Sequence, residues 1–447
     1  MDRRQFIALS AASAAVGAAP LAAQTATKSR AAEVRSLRKF AEATHPRGLE
    51  AKADEQWRSR WSSLEADADR LSDGAYFLGL RRGLGWFGDG HTTPLPFDFT
   101  DGVPEALKRG PFGLTLPLRI SLFHDGAWVT SAEGAAMPLL GRRLDRIGTR
   151  EIADLIRSDA EHWPGNRAWA HRLIGFDLSS PAFLQGLGAT SDAKSPVRFT
   201  AGNLSIDIRP TALPGGALTE VMRPTTDVER WNGEAGRGLF VQPLQDRRAL
   251  YLSIDDMGDA KDYSFEKFTQ DSFAAMALTW PERIVVDLRR NGGGNNFYGE
   301  ALRKRLAASR FNRAGGLYVL TGPRTFSAAQ NLVTRLERET FAFIVGEPTG
   351  GAPNHYGDAK LFKGESTGIT SIVSALPWFD SYPQDRRPWI MPDILIPNVY
   401  ADWEAGRDPA LEVAMTQRAE PEDELNRSRI FFYNRPSQKA EWKPFWA

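Results

Sequence analysis

The sequence contains no cysteine. That one absence removes disulfides, thiolate nucleophiles and cysteine-ligated zinc together. Histidine is scarce: His45, His91, His124, His162, His171 and His355 are the six in 447 residues, so imidazole chemistry has few owners. Net charge is nearly absent as well. A balance of +1 from 56 basic and 55 acidic residues gives no global field to draw in nucleic acid or an acidic partner. After the first two dozen residues, no segment carries the run of about 18 uncharged apolar residues that a membrane-spanning helix requires. Internal repeats and low-complexity tracts are missing outside that opening segment.

What is present is globular composition, 42% hydrophobic, 25% charged and 11% aromatic, with core material for two or three domains. The chain opens "MDRRQFIALSAASAAVGAAPLAAQ", with a twin arginine (Arg3, Arg4), Phe6, a weakly apolar Ala-rich stretch, then Pro20 and small residues. This resembles a twin-arginine export signal. Residues 1–23 are expected to be removed, with cleavage near Ala23, which places the mature chain in the periplasm or outside the cell. An uncleaved N-terminal anchor is the alternative, and Gly17 and Pro20 weigh against it.

Periodicity then divides the chain. Residues 28–100 read as a helical region, with apolar residues spaced at threes and fours until Gly83, Gly85 and Gly88 stop them. Residues 111–212 change to alternating strands, with a hairpin signal at Asp125-Gly126 and a Gly148-Thr149 turn ahead of a helix at Arg150–Arg157. The pattern is loosely similar to a PDZ module. Residues 213–235, rich in Pro, Gly and Thr, read as a linker. Residues 236–400 alternate strands and helices, the sign of an α/β layer. "ALYLSIDDM", "RIVVDLR", "GLYVLTG" and "FAFIVGE" are near-continuous apolar runs of the kind buried strands show. Residues 401–447 add a short helix and an aromatic tail expected to pack back on the body.

Three stretches could carry chemistry. In "LTGPRTFSAAQNLVTRLE", Ser327 stands where a strand turns into a helix, with free backbone N–H groups about it and small residues after it. A nucleophile could sit there; so could an ordinary N-cap serine. In "IVVDLRRNGGGNN" a buried strand ends in Asp287 and Arg289 and is followed by three glycines, which bare N–H groups as a nest for an anion. A Walker loop would need Gly-Lys-Ser/Thr, which is missing. In "GWFGDGHTTP", His91 sits in a tight turn. "GLGWFG" is formally GxGxxG, but a helix precedes it and no βαβ unit surrounds it.

Taken together, "DLRRNGGG", "VLTGPRTFSAA", "IVGEPTGG" and "IMPDILIP" resemble, in order and approximate spacing, the core motifs of the C-terminal processing (tail-specific) serine peptidase family. The resemblance covers about residues 236–398. It implies a crotonase/ClpP-like core in a chain that is α/β (α+β overall), a nucleophile at Ser327, and an oxyanion hole from Gly292, Gly293 and the N–H of Ala328. One departure is informative. The Ser–Lys branch ends a TxGK motif in lysine, and here Thr349-Gly350-Gly351 is followed by Ala352. A second, tricorn-core-like branch uses a Ser–His–acid site with its histidine in a D.HT turn, which matches His91. The acid of that branch lies shortly before the PD motif, which matches Asp385. Asp380 and Glu347 are rival acids, and His355 is the rival base. The expected activity is serine-type hydrolysis of peptide bonds in protein or peptide substrates, without metal or cofactor. The alternatives are an inactive peptide- or ligand-binding member, motivated by Ala352, and a hydrolase of a non-peptide ester or amide.

Overall fold

A computed structural model describes residues 29–95, 111–212, 218–418 and 441–447. The export-signal reading and the first part of the linker lie outside them.

The chain forms two compact units that do not follow sequence order. One takes Arg223–His355 and Trp378–Trp442; the other takes the described residues up to Met222, then Tyr356–Pro377 and Lys443–Ala447. The first is built on a six-stranded sheet, ordered Leu239–Leu244, Ala249–Ile254, Arg283–Asp287, Leu317–Thr321, Phe343–Gly346 and Ile394–Leu395. The first pair is an antiparallel hairpin and every later pairing is parallel. Side chains of a strand alternate between faces, and both faces here are apolar. Leu250, Leu252, Ile254, Ile284, Val286, Leu317, Val319 and Ile344 enter one core. Tyr251, Val285, Tyr318, Leu320, Phe343 and Val345 enter the other. That explains why the runs lack the polar alternation of a half-exposed sheet.

Helices Phe265–Thr279, Gly299–Ala307 and Ala328–Glu339 cover the first face through Phe268, Met276, Leu302, Leu306, Leu332, Val333 and Leu336. Helices Asp227–Ala235 and Pro409–Thr416 cover the second through Val228, Trp231, Leu411 and Met415. Each such buried side chain contributes roughly 1.5–3 kcal/mol. Residues 227–235 correct the linker reading: Thr226 caps the helix, accepting the Glu229 N–H while the Glu229 carboxylate accepts the Thr226 N–H. Thr-x-x-Glu is a capping box, and the Pro/Thr-rich composition around it masked the signal.

The second unit begins with helices Arg30–Thr44, Gly48–Ala53, Glu55–Asp67 and Asp73–Leu84, packed through Trp57, Trp61, Tyr76 and Phe77. Strands Leu118–Phe123 and Gly126–Ala132 pair with Phe123 opposite Gly126. The turn residues are therefore His124 and Asp125, one position earlier than Asp125-Gly126. A four-stranded antiparallel sheet runs Arg150–Glu151, Arg146–Ile147, Val197–Ala201, Leu204–Ile208. The helix expected at 150–157 spans Ile152–Ala160 instead, because Arg150 and Glu151 are taken by the sheet. Thr93–Leu95 pairs antiparallel with Thr370–Val373, which brings the segment after Val373 back to the turn that carries His91. Trp446 is buried in this unit, its indole N–H donating to His171 Nδ1 at 2.9 Å. Among the described residues no helix is long and apolar enough to cross a membrane.

Candidate active site

Parallel strands deliver their C-terminal loops to one end of a sheet, where ligands of α/β proteins bind. Here three adjacent strands do so. Arg283–Asp287 leads into the glycine loop, Leu317–Thr321 into the Ser327 turn, and Phe343–Gly346 into the segment holding Ala352.

The Ser327 turn is laced to its neighbours. Thr325 N–H donates to the Gly322 carbonyl, and the Thr325 hydroxyl donates to the Leu288 carbonyl at 2.9 Å. Phe326 N–H reaches the Asn291 carbonyl and Gly350 N–H reaches the Thr325 carbonyl. These bonds hold Ser327 at φ 54°, ψ −127°, a backbone conformation that residues with a side chain seldom adopt. Ser327 occupies the N-cap position of helix Ala328–Glu339, yet its hydroxyl makes no capping bond. The N-cap explanation of this serine is thereby removed: a capping serine has extended backbone and its side-chain oxygen accepts a backbone N–H of the helix's first turn. The Ala328 N–H is one of the donors that a helix start leaves without an intrahelical acceptor.

The glycine loop packs directly on this serine. A Cβ on Gly293 would stand 2.5 Å from Ser327 Cβ and 3.3 Å from Ala328 N, and Gly293 has φ +121°. No side chain fits there. Gly293 N–H is turned to Asn291 Oδ1 at 2.8 Å, so its part in the resting loop is steric. Asn291 is wholly buried; its amide donates to the Ile254 carbonyl and its own carbonyl accepts from Phe326. Asn291 thus ties the glycine loop to the serine turn, a role its motif position alone does not reveal. Asp287 secures the loop's entry. Arg289 donates to it from the backbone and the guanidinium, and that guanidinium also holds Asp408. Burial pushes the Asp287 carboxyl up, but the Arg289 charge outweighs it and leaves the group below the usual carboxylate range.

The remaining residues of this unit fall as follows. Asp385 is buried, with Oδ2 accepting the Ser381 hydroxyl at 2.6 Å and Oδ1 accepting Arg387 N–H and Nε–H. Arg387 also grips Glu337, on the serine's helix, with two bonds at 2.9 and 2.8 Å. Asp380 accepts from Arg335 at 2.8 Å. Glu347 is buried beside the Trp442 indole N–H at 3.3 Å. Burial pushes its carboxyl up to about 7, against the Asn398 N–H and the Trp442 indole. His355 Nδ1 lies 3.0 Å from the Ala352 carbonyl. The oxygen accepts, so the ring proton is on Nδ1.

His91 belongs to the other unit, in the turn Asp89-Gly90-His91-Thr92. Asp89 Oδ1 accepts the His91 N–H at 3.1 Å and the Asp89 carbonyl accepts the Thr92 N–H at 3.0 Å, an Asx-turn inside a β-turn. Asp89, His91 and Thr92 are all buried. Burial pushes the Asp89 carboxyl up, but hydrogen bonding from His45 and His91, the His91 charge and the Ser374 hydroxyl together hold it far below the ordinary carboxylate range. Among the described residues no group of His, Asp and Glu is arranged to hold a metal ion.

The chain has the fold of mature CPAF, whose crystal structure aligns with TM-score 0.58 and 12% identity over 87% of this chain and 96% of that one. Mature CPAF complexed with lactacystin aligns with TM-score 0.57 and 12% identity, over 87% and 98%. The photosystem II D1 C-terminal processing protease aligns over 82% and 93% at 14% identity, with a TM-score of 0.36. No family model matches the chain, and no curated protein matches it.

Proposed function

We propose that the protein is an exported serine peptidase of the C-terminal processing type, acting on protein or peptide substrates. The observation that carries this reading is the backbone of Ser327. A serine held at positive φ, at a helix start it does not cap and against a glycine that admits no side chain, is what a nucleophile requires and a structural serine does not. The fold shared with CPAF supports it.

In this reading the Ser327 hydroxyl attacks the scissile carbonyl and gives its proton to His91, which passes it to the leaving amine. The helix-start N–H of Ala328 and the Gly292 N–H receive the developing oxyanion, and Gly293 keeps that space open. Asp385, matched by resemblance to the orienting acid, is already engaged by Arg387 and Ser381. His355 is the second reading for the base, because its Nδ1 proton faces the Ala352 carbonyl and turns Nε2 into the acceptor. The six-stranded sheet would form a crotonase/ClpP-like catalytic body, and the segment 111–212 a PDZ-like module for an extended peptide. Peptide cleavage by the full chain tests this directly. Ser327→Ala is expected to abolish it without unfolding the protein; unchanged turnover contradicts the reading.

A further inference from the structure

Two histidines share one buried carboxylate in the unit that carries His91. His45 stacks on Phe87 with ring centroids 3.9 Å apart, and its Nδ1 accepts the Arg47 N–H at 3.1 Å. A ring nitrogen that accepts a hydrogen bond bears no proton, so the His45 proton is on Nε2. That Nε2 lies 3.7 Å from Asp89 Oδ2. The same oxygen accepts the Thr92 hydroxyl at 2.8 Å and the Ser374 hydroxyl. Thr92 Oγ1 itself accepts the Ser374 N–H at 3.1 Å, which commits its own proton to Asp89. The other oxygen, Oδ1, holds the His91 N–H and lies 3.5 Å from His91 Nδ1. That contact is long for a resting hydrogen bond and of the kind that tightens when charge develops on the ring.

We infer that Asp89 is the carboxylate that sets the His91 tautomer, with His45, Thr92 and Ser374 holding that carboxylate ionised and in register. The inference rests on His91 being the base of the proposed reaction. Asp89 and His45 are positioning residues: they act through His91. The orientation has a direct consequence. An ionised Asp89 can only accept, so His91 carries its proton on Nδ1 and presents a bare Nε2 as the proton acceptor. The two imidazoles flanking Asp89 are therefore opposite tautomers, Nε2–H on His45 and Nδ1–H on His91.

Asp89→Asn reverses the polarity of the group that faces His91. An amide has one accepting oxygen; the Thr92 and Ser374 hydroxyls both donate to the Oδ2 position, with His45 Nε2 3.7 Å away, against the one backbone N–H held at Oδ1. The amide oxygen is held there, and the NH2 group faces His91, where it can only donate. The His91 proton must then move to Nε2, the atom that should accept from the nucleophile.

The test is nitrogen-15 NMR of the histidine rings in the full chain, without substrate, in the parent protein and in Asp89→Asn and Asp385→Asn. The expected result is Nδ1–H on neutral His91 and Nε2–H on His45 in the parent, His91 switched to Nε2–H in Asp89→Asn, and His91 unchanged in Asp385→Asn. Peptide cleavage by Asp89→Asn should fall by about 10⁴-fold through kcat. Nε2–H on His91 in the parent, Nδ1–H retained in Asp89→Asn, or a switch caused by Asp385→Asn overturns the inference. The ring tautomers are read on resting protein, so they stand apart from whether Ser327 hydrolyses peptide. The parent spectrum alone decides the matter should a variant not fold.

Discussion

Ser327 gives up backbone stability at one pair of torsions. Positive φ in a residue with a Cβ costs on the order of 1–3 kcal/mol, and the bonds from Thr325, Phe326 and Gly350 hold the chain there. Glycine bears no such cost. Ser327→Gly is therefore expected to resist urea better than the parent by about 1 kcal/mol while losing all hydrolysis, whereas Ser327→Ala, which keeps the strain, stays within about 0.5 kcal/mol of it. Unfolding curves of the three proteins measure this. The glycine loop after a buried strand was legible in the sequence, and so was Ser327 as a helix-start residue. The torsions of Ser327 were not, because they are imposed by Asn291 and Gly350, which lie far along the chain from it.

Glu347 makes stability depend on pH. Its folded carboxyl titrates at about 7, above the ordinary glutamate range. Between those two values the folded state binds more protons than the unfolded one, so stability falls as pH rises. The contribution is fully present below about pH 4 and is lost as pH passes 7. Glu347→Gln removes that decline, and the difference between pH 5 and pH 8 in denaturant unfolding should shrink by on the order of 2 kcal/mol.

At the scale of elements, the helix that Ser327 begins is fixed at both ends. Its start is the Ser327 turn. Its far half is tied by Glu337, which shares Arg387 with Asp385 although neither carboxylate meets bulk solvent to any extent. Arg387→Ala takes a cation away from two buried carboxylates and should cost about 3–5 kcal/mol in urea unfolding. The helix itself was plain from Leu332, Val333 and Leu336, whose spacing gives one apolar face. The ion bridge was hidden, since 50 residues separate Glu337 from Arg387 and charge alone marks neither. Helix Asp227–Ala235 shows the opposite failure: its capping box was readable at Thr226 and Glu229, but Pro and Thr around it outweighed the signal.

At the scale of the whole molecule, local pattern stops informing. Buried strands declare themselves by apolar runs because both faces of the central sheet are covered. The return of residues 356–377 to the unit built from the N-terminal helices has no such mark. That return puts Ser374 on Asp89 and so completes the setting of His91. The Asp89-x-His91 spacing of an Asx-turn was in the sequence; the hydroxyl that holds it, 285 residues away, was not.

In the proposed reaction Ser327 is a nucleophile activated by His91. An organophosphonate that reacts only with activated serines measures it most directly, with the labelled residue located by mass spectrometry in the parent, His91→Ala and His355→Ala. Labelling at Ser327 in the parent, lost in His91→Ala and kept in His355→Ala, is the predicted result. No labelling of Ser327 in the parent, or labelling that survives His91→Ala, contradicts it.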